Sequence, residues 1–119
     1  MNKPINVRVF DIVGGALCVS AEDGQRVHDK IAALLREQQK VVLSFEQVET
    51  LISAFLNAAV GQLYGEFSEK SIRELLSVRD MNPDDEDVLK RVVENAKRYF
   101  ADRPAADKAW KEEIGDEEE

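Results

Sequence analysis

The sequence predicts a single α/β domain, and three observations carry that expectation. Val41, Val42 and Leu43 are consecutive and uninterrupted by polar residues, as in a strand covered on both faces. Apolar residues recur at helical spacing on either side of that strand. Strand-like and helical patterns then alternate along the chain, which is the order that builds a sheet with helices packed on it. The expected order is β-β-α-β-α-β-α, a mixed sheet that begins with a β-hairpin and continues in β-α units.

Ile5, Val7 and Val9 alternate with Asn6, Arg8 and Phe10, a period-two pattern for a strand over Ile5–Val13. Gly14-Gly15 then reads as a hairpin turn, with Ala16–Val19 pairing back antiparallel. Ser20 followed by Asp23 resembles a capping box, and Val27, Ile31, Leu34 and Leu35 extend an amphipathic helix over Glu22–Gln38. The buried strand Lys40–Phe45 comes next after only one or two residues, which suggests a parallel crossover.

A second helix is expected over Ile52–Tyr64, its broad apolar face made by Ile52, Phe55, Leu56, Ala59, Val60 and Leu63. Gly61 lies inside it at a cost of up to about 1 kcal/mol relative to Ala, which points to close packing. Gly65 is placed to cap its end. Ser71 and Glu74 are read as capping a short turn before a strand centred on Leu76–Val78. Asn82-Pro83-Asp84-Asp85 is a strong helix start, with an N-cap, a proline at the first position and acids in the first turn. That helix runs to Ala101, Arg103-Pro104 breaks it, and Ala105–Ile114 is expected as a final short helix carrying Trp110.

Composition narrows the function. The 119 residues are 44% hydrophobic, enough for one core. Cys18 is the only cysteine, so no internal disulfide forms. No apolar run approaches a membrane span, and MNKPINVRVF lacks the features of a signal peptide, so the expected compartment is the cytoplasm. Net charge is −8, but six of the 24 acidic residues lie in positions 112–119, leaving 18 against 16 basic ones elsewhere. A nearly neutral body with an acidic tail does not suit a phosphate backbone, and nucleic acid is not an expected partner. The tail itself reads as a solvated, disordered end.

Signals for catalysis are weak. His28 is the only histidine, and with Val27 and Ile31 defining the buried stripe it is expected at the edge or on the solvent face. Cys18 reads as a small core residue. No set of ligands with metal-site spacing is present, and Asp84–Asp87 is explained by the helix dipole rather than a cation. Gly14-Gly15 lacks the spacing of a phosphate loop, and no cofactor is expected. The informative segment is the polar loop Glu46, Gln47, Val48, Glu49 between a buried strand end and a helix start carrying Thr50 and Ser53. The crevice beyond the carboxyl ends of parallel strands is the usual place for binding. Thr50 or Ser53 could also do no more than cap the helix.

The run KVVLSFEQVETLISAFLNAAVGQLYGEF resembles the STAS-like family, bacterial proteins related to sulphate-transporter and anti-sigma-factor-antagonist domains. The resemblance rests on a buried strand, a short loop, a Ser/Thr-rich helix start with Ser-Phe nearby, and an LYG-like ending. It implies a STAS-like α/β domain over residues 1–101, with a short helix and acidic tail over 102–119. In the more distantly similar antagonists, a serine at this helix start is phosphorylated by a histidine-kinase-like ATPase, and Ser53 matches it by position. Ile52 precedes Ser53 and Ala54-Phe55 follow it, where antagonists carry aspartate before and Ser-Gly after. Ser44 stands where they carry a strand-end acid.

Two functions are therefore expected to compete. One is a non-catalytic regulatory module that binds a protein partner, a histidine-kinase-like ATPase by resemblance, through Glu46, Gln47, Glu49, Thr50 and Ser53, with Ser53 the candidate phosphorylation site. The other is a binding domain for a small molecule or anion, nucleotide or phosphate, at the helix N-terminus near Ser53. A homodimer formed through a sheet edge or the Trp110 segment is compatible with both.

Overall fold

A computed structural model describes residues 3–102, so the helix expected over Ala105–Ile114, Trp110 and the acidic tail lie outside the described residues. The chain begins with strand β1 (Ile5–Arg8) and turns at once into a short helix α1 (Val9–Val13). Gly14 ends α1 in the left-handed region at φ 85°, its amide donating to the Phe10 carbonyl at 2.9 Å. Strand β2 (Leu17–Cys18) and helix α2 (Ala21–Arg36) follow. Then come β3 (Val41–Ser44), β4 (Thr50–Leu51) and α3 (Ser53–Ala59). A 3-10 helix covers Gly61–Gly65, before α4 (Glu69–Leu75), β5 (Leu76–Arg79) and α5 (Pro83–Asp102).

The α/β class holds, but the sheet differs from expectation. Strands β1, β3 and β5 form one three-stranded sheet with β3 in the middle, and β2 pairs with β4 in a second. Every pairing is parallel, with Val41 opposite both Ile5 and Leu76, and Leu17 opposite Thr50. Among the described residues there is no opening hairpin. The glycine that looked like a hairpin turn is the left-handed C-cap of α1, a position that demands the same conformational freedom. Once α1 intervenes, β2 no longer faces β1 and finds β4 instead.

Local signals explain most boundaries. Ser20 caps α2 by accepting from the Asp23 amide at 3.1 Å, and Asn82 caps α5 by accepting from the Asp85 amide at 2.8 Å. Helix α4 is capped by Ser68, which accepts from the Ser71 amide, rather than by Ser71 itself. The helix expected over Ile52–Tyr64 is interrupted after Ala59. Gln62 is buried there, and its side-chain Nε2 donates to the Ala58 carbonyl at 2.7 Å and to Gln25 Oε1 at 2.9 Å. The carbonyl that a continuous α-helix would give to the Gln62 backbone is thus taken by the Gln62 side chain, and the chain tightens into the 3-10 form.

The core joins β3 to α2 and α3: Leu43, Ile31, Leu35, Phe55 and Leu56 are fully buried, with Leu63 beside them. Each such side chain contributes roughly 1.5–3 kcal/mol by burial. Helix α2 lies along α3, and α5 packs on α3 and on the 3-10 segment. At Gly24 the two helices α2 and α3 approach closely. A Cβ built there would lie 2.4 Å from the Phe55 carbonyl oxygen and 2.9 Å from the Ala58 Cβ.

Cys18 is fully buried, as the sequence suggests. Burial pushes its thiol up to about 11 from 9.0, with smaller contributions from Asp23 and Asp85. The thiolate is the reactive form. Native protein at pH 8 should therefore leave Cys18 unlabelled by a thiol reagent over a period that fully labels the urea-unfolded chain. Equal labelling rates in the two states would show that the side chain is open to solvent.

Candidate functional site

The loop after β3 is built at the carboxyl ends of the three parallel strands, where a sheet of this kind leaves a crevice. Its first anchor is Ser44, which is buried and donates from Oγ to Asp80 Oδ2 at 2.8 Å while accepting from the Glu46 amide at 3.3 Å. The Phe45 amide donates to the Arg79 carbonyl at 3.0 Å, and the Phe45 ring is buried. A tight turn follows, closed by the Val48 amide on the Phe45 carbonyl at 3.1 Å, with Gln47 at φ 69°. That left-handed conformation disfavours most side chains other than glycine and asparagine, so the surrounding bonds must hold it.

Arg8, at the end of β1, supplies part of that hold. It donates to Gln47 Oε1, and lies 3.8 Å from Glu46 Oε1 and 3.7 Å from Asp11 Oδ2. On the other side the loop is tied to β2. The amides of Glu49 and Thr50 both donate to the Ala16 carbonyl, at 2.9 and 3.2 Å, and the Ile52 amide donates to the Cys18 carbonyl at 3.1 Å. The backbone of the loop is fixed at both ends while the side chains of Glu46, Gln47, Glu49 and Thr50 are exposed.

The structure divides the expected site residues into three groups. Glu46 and Gln47 gather around Arg8, whereas Glu49 and Thr50 lie along the β2–β4 pairing. Ser53 is the first residue of α3 and lines a cleft against α5 with Asn57, Arg91 and Asn95. Neither Thr50 nor Ser53 caps the helix. Thr50 belongs to β4, and the N-cap position is held by Ile52, which has no side-chain oxygen to offer. Ser53 is exposed, and its hydroxyl makes no hydrogen bond among the described residues. With only seven residues, α3 has few peptide dipoles to sum, so its terminus attracts anions less than a long helix would.

His28 is the clearest departure from the sequence reading. It is 5% exposed, not on the solvent face. Its Nε2 lies 3.0 Å from Glu66 Oε2, and its Nδ1 lies 3.1 Å from both Asp29 Oδ1 and Gln25 Nε2. Arg36 Nη2 stands 3.6 Å from the same Glu66 carboxylate. The buried face of α2 runs through Gly24, Val27, His28, Ile31 and Leu35, so the stripe passes through the histidine. Counting only apolar side chains hid Gly24 and shifted the apparent stripe.

A second cleft, between α4, β5 and α5, is lined by Val60, Ile72, Leu89 and Val93 together with Tyr64 and Lys97. Its charges are already engaged, because Glu69 accepts from Arg73 at 2.8 Å and from Lys97 at 2.9 Å. Those two cations hold the Glu69 carboxyl below its ordinary value. Among the described residues no cluster of three His, Cys, Asp or Glu side chains could hold a metal ion, and no helix is long and apolar enough to cross a membrane.

Comparison with known proteins places this arrangement. Residues 23–86, more than half of the chain, match the family model described as a STAS-like domain of unknown function. No curated protein and no solved structure matches the chain.

Proposed function

The chain belongs to the STAS-like domain family, and from that premise we propose that it is a non-catalytic regulatory module that binds a protein partner through the loop Glu46–Thr50 and the start of α3. One observation carries this reading. A loop whose backbone is anchored at Ser44, Arg79 and Ala16, with Arg8 steadying the Glu46 and Gln47 side chains, presents an exposed surface beside a serine whose hydroxyl is exposed and uncommitted among the described residues. Fixing the backbone beforehand lowers the ordering cost that association must meet. The one thiol and the one imidazole of the chain are engaged elsewhere, Cys18 in the core and His28 between Glu66 and Asp29. That favours binding over catalysis.

Ser53 is the proposed switch. A phosphate there adds roughly −1.5 to −2 charges to the partner-facing surface, enough to repel an acidic partner or to disrupt an apolar contact. The resemblance to anti-sigma-factor antagonists supports a histidine-kinase-like ATPase as the partner and as the kinase. With such an ATPase as bait, the parent chain and Ser53→Ala are expected to bind alike, while Ser53→Asp loses about tenfold in affinity, or about 1.4 kcal/mol. Equal binding by all three, measured by calorimetry, would remove the switch.

A further inference from the structure

Arg91 is one of several cations without an ion pair among the described residues, and it is the one that lines the cleft at Ser53. Arg8, Arg26, Arg36, Arg73 and Lys97 each lie within 2.8 to 3.8 Å of a carboxylate oxygen. Arg91 makes no such pair with a described residue, although Asp87 stands one turn before it on α5 and Glu94 less than one turn after. It lines instead the cleft of about 280 Å³ between α3 and α5, with Ser53, Asn57 and Asn95 around it and Val88 and Val92 completing the wall. The carboxamides of Asn57 and Asn95 are likewise unbonded among the described residues. Two helices thus bring a guanidinium, two carboxamides and a hydroxyl to one cleft and leave all four open.

We propose that this cleft binds the phosphomonoester group of a small molecule, with Arg91 as its anchor and Asn57 and Asn95 as further donors. A guanidinium offers five N–H donors in a rigid fork that fits a phosphate edge, and each carboxamide adds two more. Donors arriving from both helices suit the three terminal oxygens of a phosphomonoester better than the two of a carboxylate. At about 280 Å³ the cleft falls just below the range for ligand pockets, which fits a small polar group rather than a large apolar molecule. Asp87 and Glu94 oppose an anion, so binding of the bare phosphate group is expected to be millimolar and to weaken as salt is added. The site draws its donors from Arg91 and Asn95 of α5 and Asn57 of α3, outside the loop Glu46–Thr50, and shares only Ser53 with the partner-binding proposal; the phosphate titration needs no partner, so its failure is distinguishable from failure of that reading.

The test is a titration of the ¹⁵N-labelled full chain with inorganic phosphate and, separately, with acetate, following the side-chain amide resonances of Asn57 and Asn95. Phosphate is expected to shift both in a saturable manner and acetate to leave them nearly unchanged. Arg91→Gln should weaken the response about tenfold or more, in keeping with the loss of a charge-assisted bidentate contact. Its melting temperature should match the parent's, because Arg91 is exposed. Asn95→Asp, which replaces a donor by a negative charge, is the second variant and should weaken binding in the same direction. A response that does not saturate, that persists undiminished in both variants, or that acetate reproduces would overturn the proposal.

Discussion

Gly24→Ala is expected to destabilise the protein by about 3 kcal/mol, at the upper end of the range for overpacked interiors. In an ordinary helix the same change stabilises by up to about 1 kcal/mol, because alanine restricts the unfolded chain. The sign reverses here because the new methyl would sit 2.4 Å from the Phe55 carbonyl oxygen. That atom is backbone, so no rotamer change can relieve the clash, and α3 must move away from α2. Urea denaturation would measure the loss. Gly15→Ala supplies the control, because nothing lies within 4 Å of a Cβ at that position. Should the two variants prove equally stable, the close α2–α3 contact would be wrong. Because α3 begins at Ser53, Gly24→Ala is also expected to disturb the cleft and the partner-facing surface.

The second large effect is expected at His28. His28→Ala removes a buried ring and its contacts to Glu66, Asp29 and Gln25, at a cost of about 2–3 kcal/mol for lost hydrogen bonds together with a cavity. Glu66→Ala should cost less, since the Glu66 side chain keeps 24% exposure and its removal leaves a smaller void than loss of the buried ring. The contact joins α2 to the segment after the 3-10 helix, so the two changes should not add. A double-mutant cycle is expected to show a coupling of about 1 kcal/mol, within the range for groups in one network. Additive losses would mean that the histidine and the glutamate stabilise the fold independently.

Much of this architecture is legible in the sequence where a local signal has one meaning. The Asn82-Pro83 start of α5, the Ser20 cap of α2 and the buried run of β3 each permit a single reading, and each is found in the structure. Gly14 permits two. A left-handed glycine ends a short helix as readily as it turns a hairpin, and only the pairing of β2 with β4, far along the chain, decides between them. The break after Ala59 depends on Gln62 reaching both Ala58 and Gln25, a contact between distant segments that no periodicity encodes. Of the candidate site, the position of the loop after β3 could be read in advance because strand ends and helix starts are local. Arg8 and Arg91 could not be assigned to it. Nothing in the sequence around either arginine says which segment will lie beside it.

The strand order has a consequence for how the chain comes into being during synthesis. The central strand β3 is flanked by β1 and β5, and among the described residues no strand pairs with its neighbour in sequence. As the polypeptide leaves the ribosome, β1 must wait for all of α2 before it meets β3. Strand β3 then keeps one edge open until Arg79 has emerged, and β2 stays unpaired until Leu51 does. Such distant pairings close slowly compared with those of helical bundles, because loop entropy is spent before contacts repay it. Until β5 arrives, the nascent chain exposes the edge of its most hydrophobic strand, and that interval is when a chaperone or a second nascent copy would compete for it.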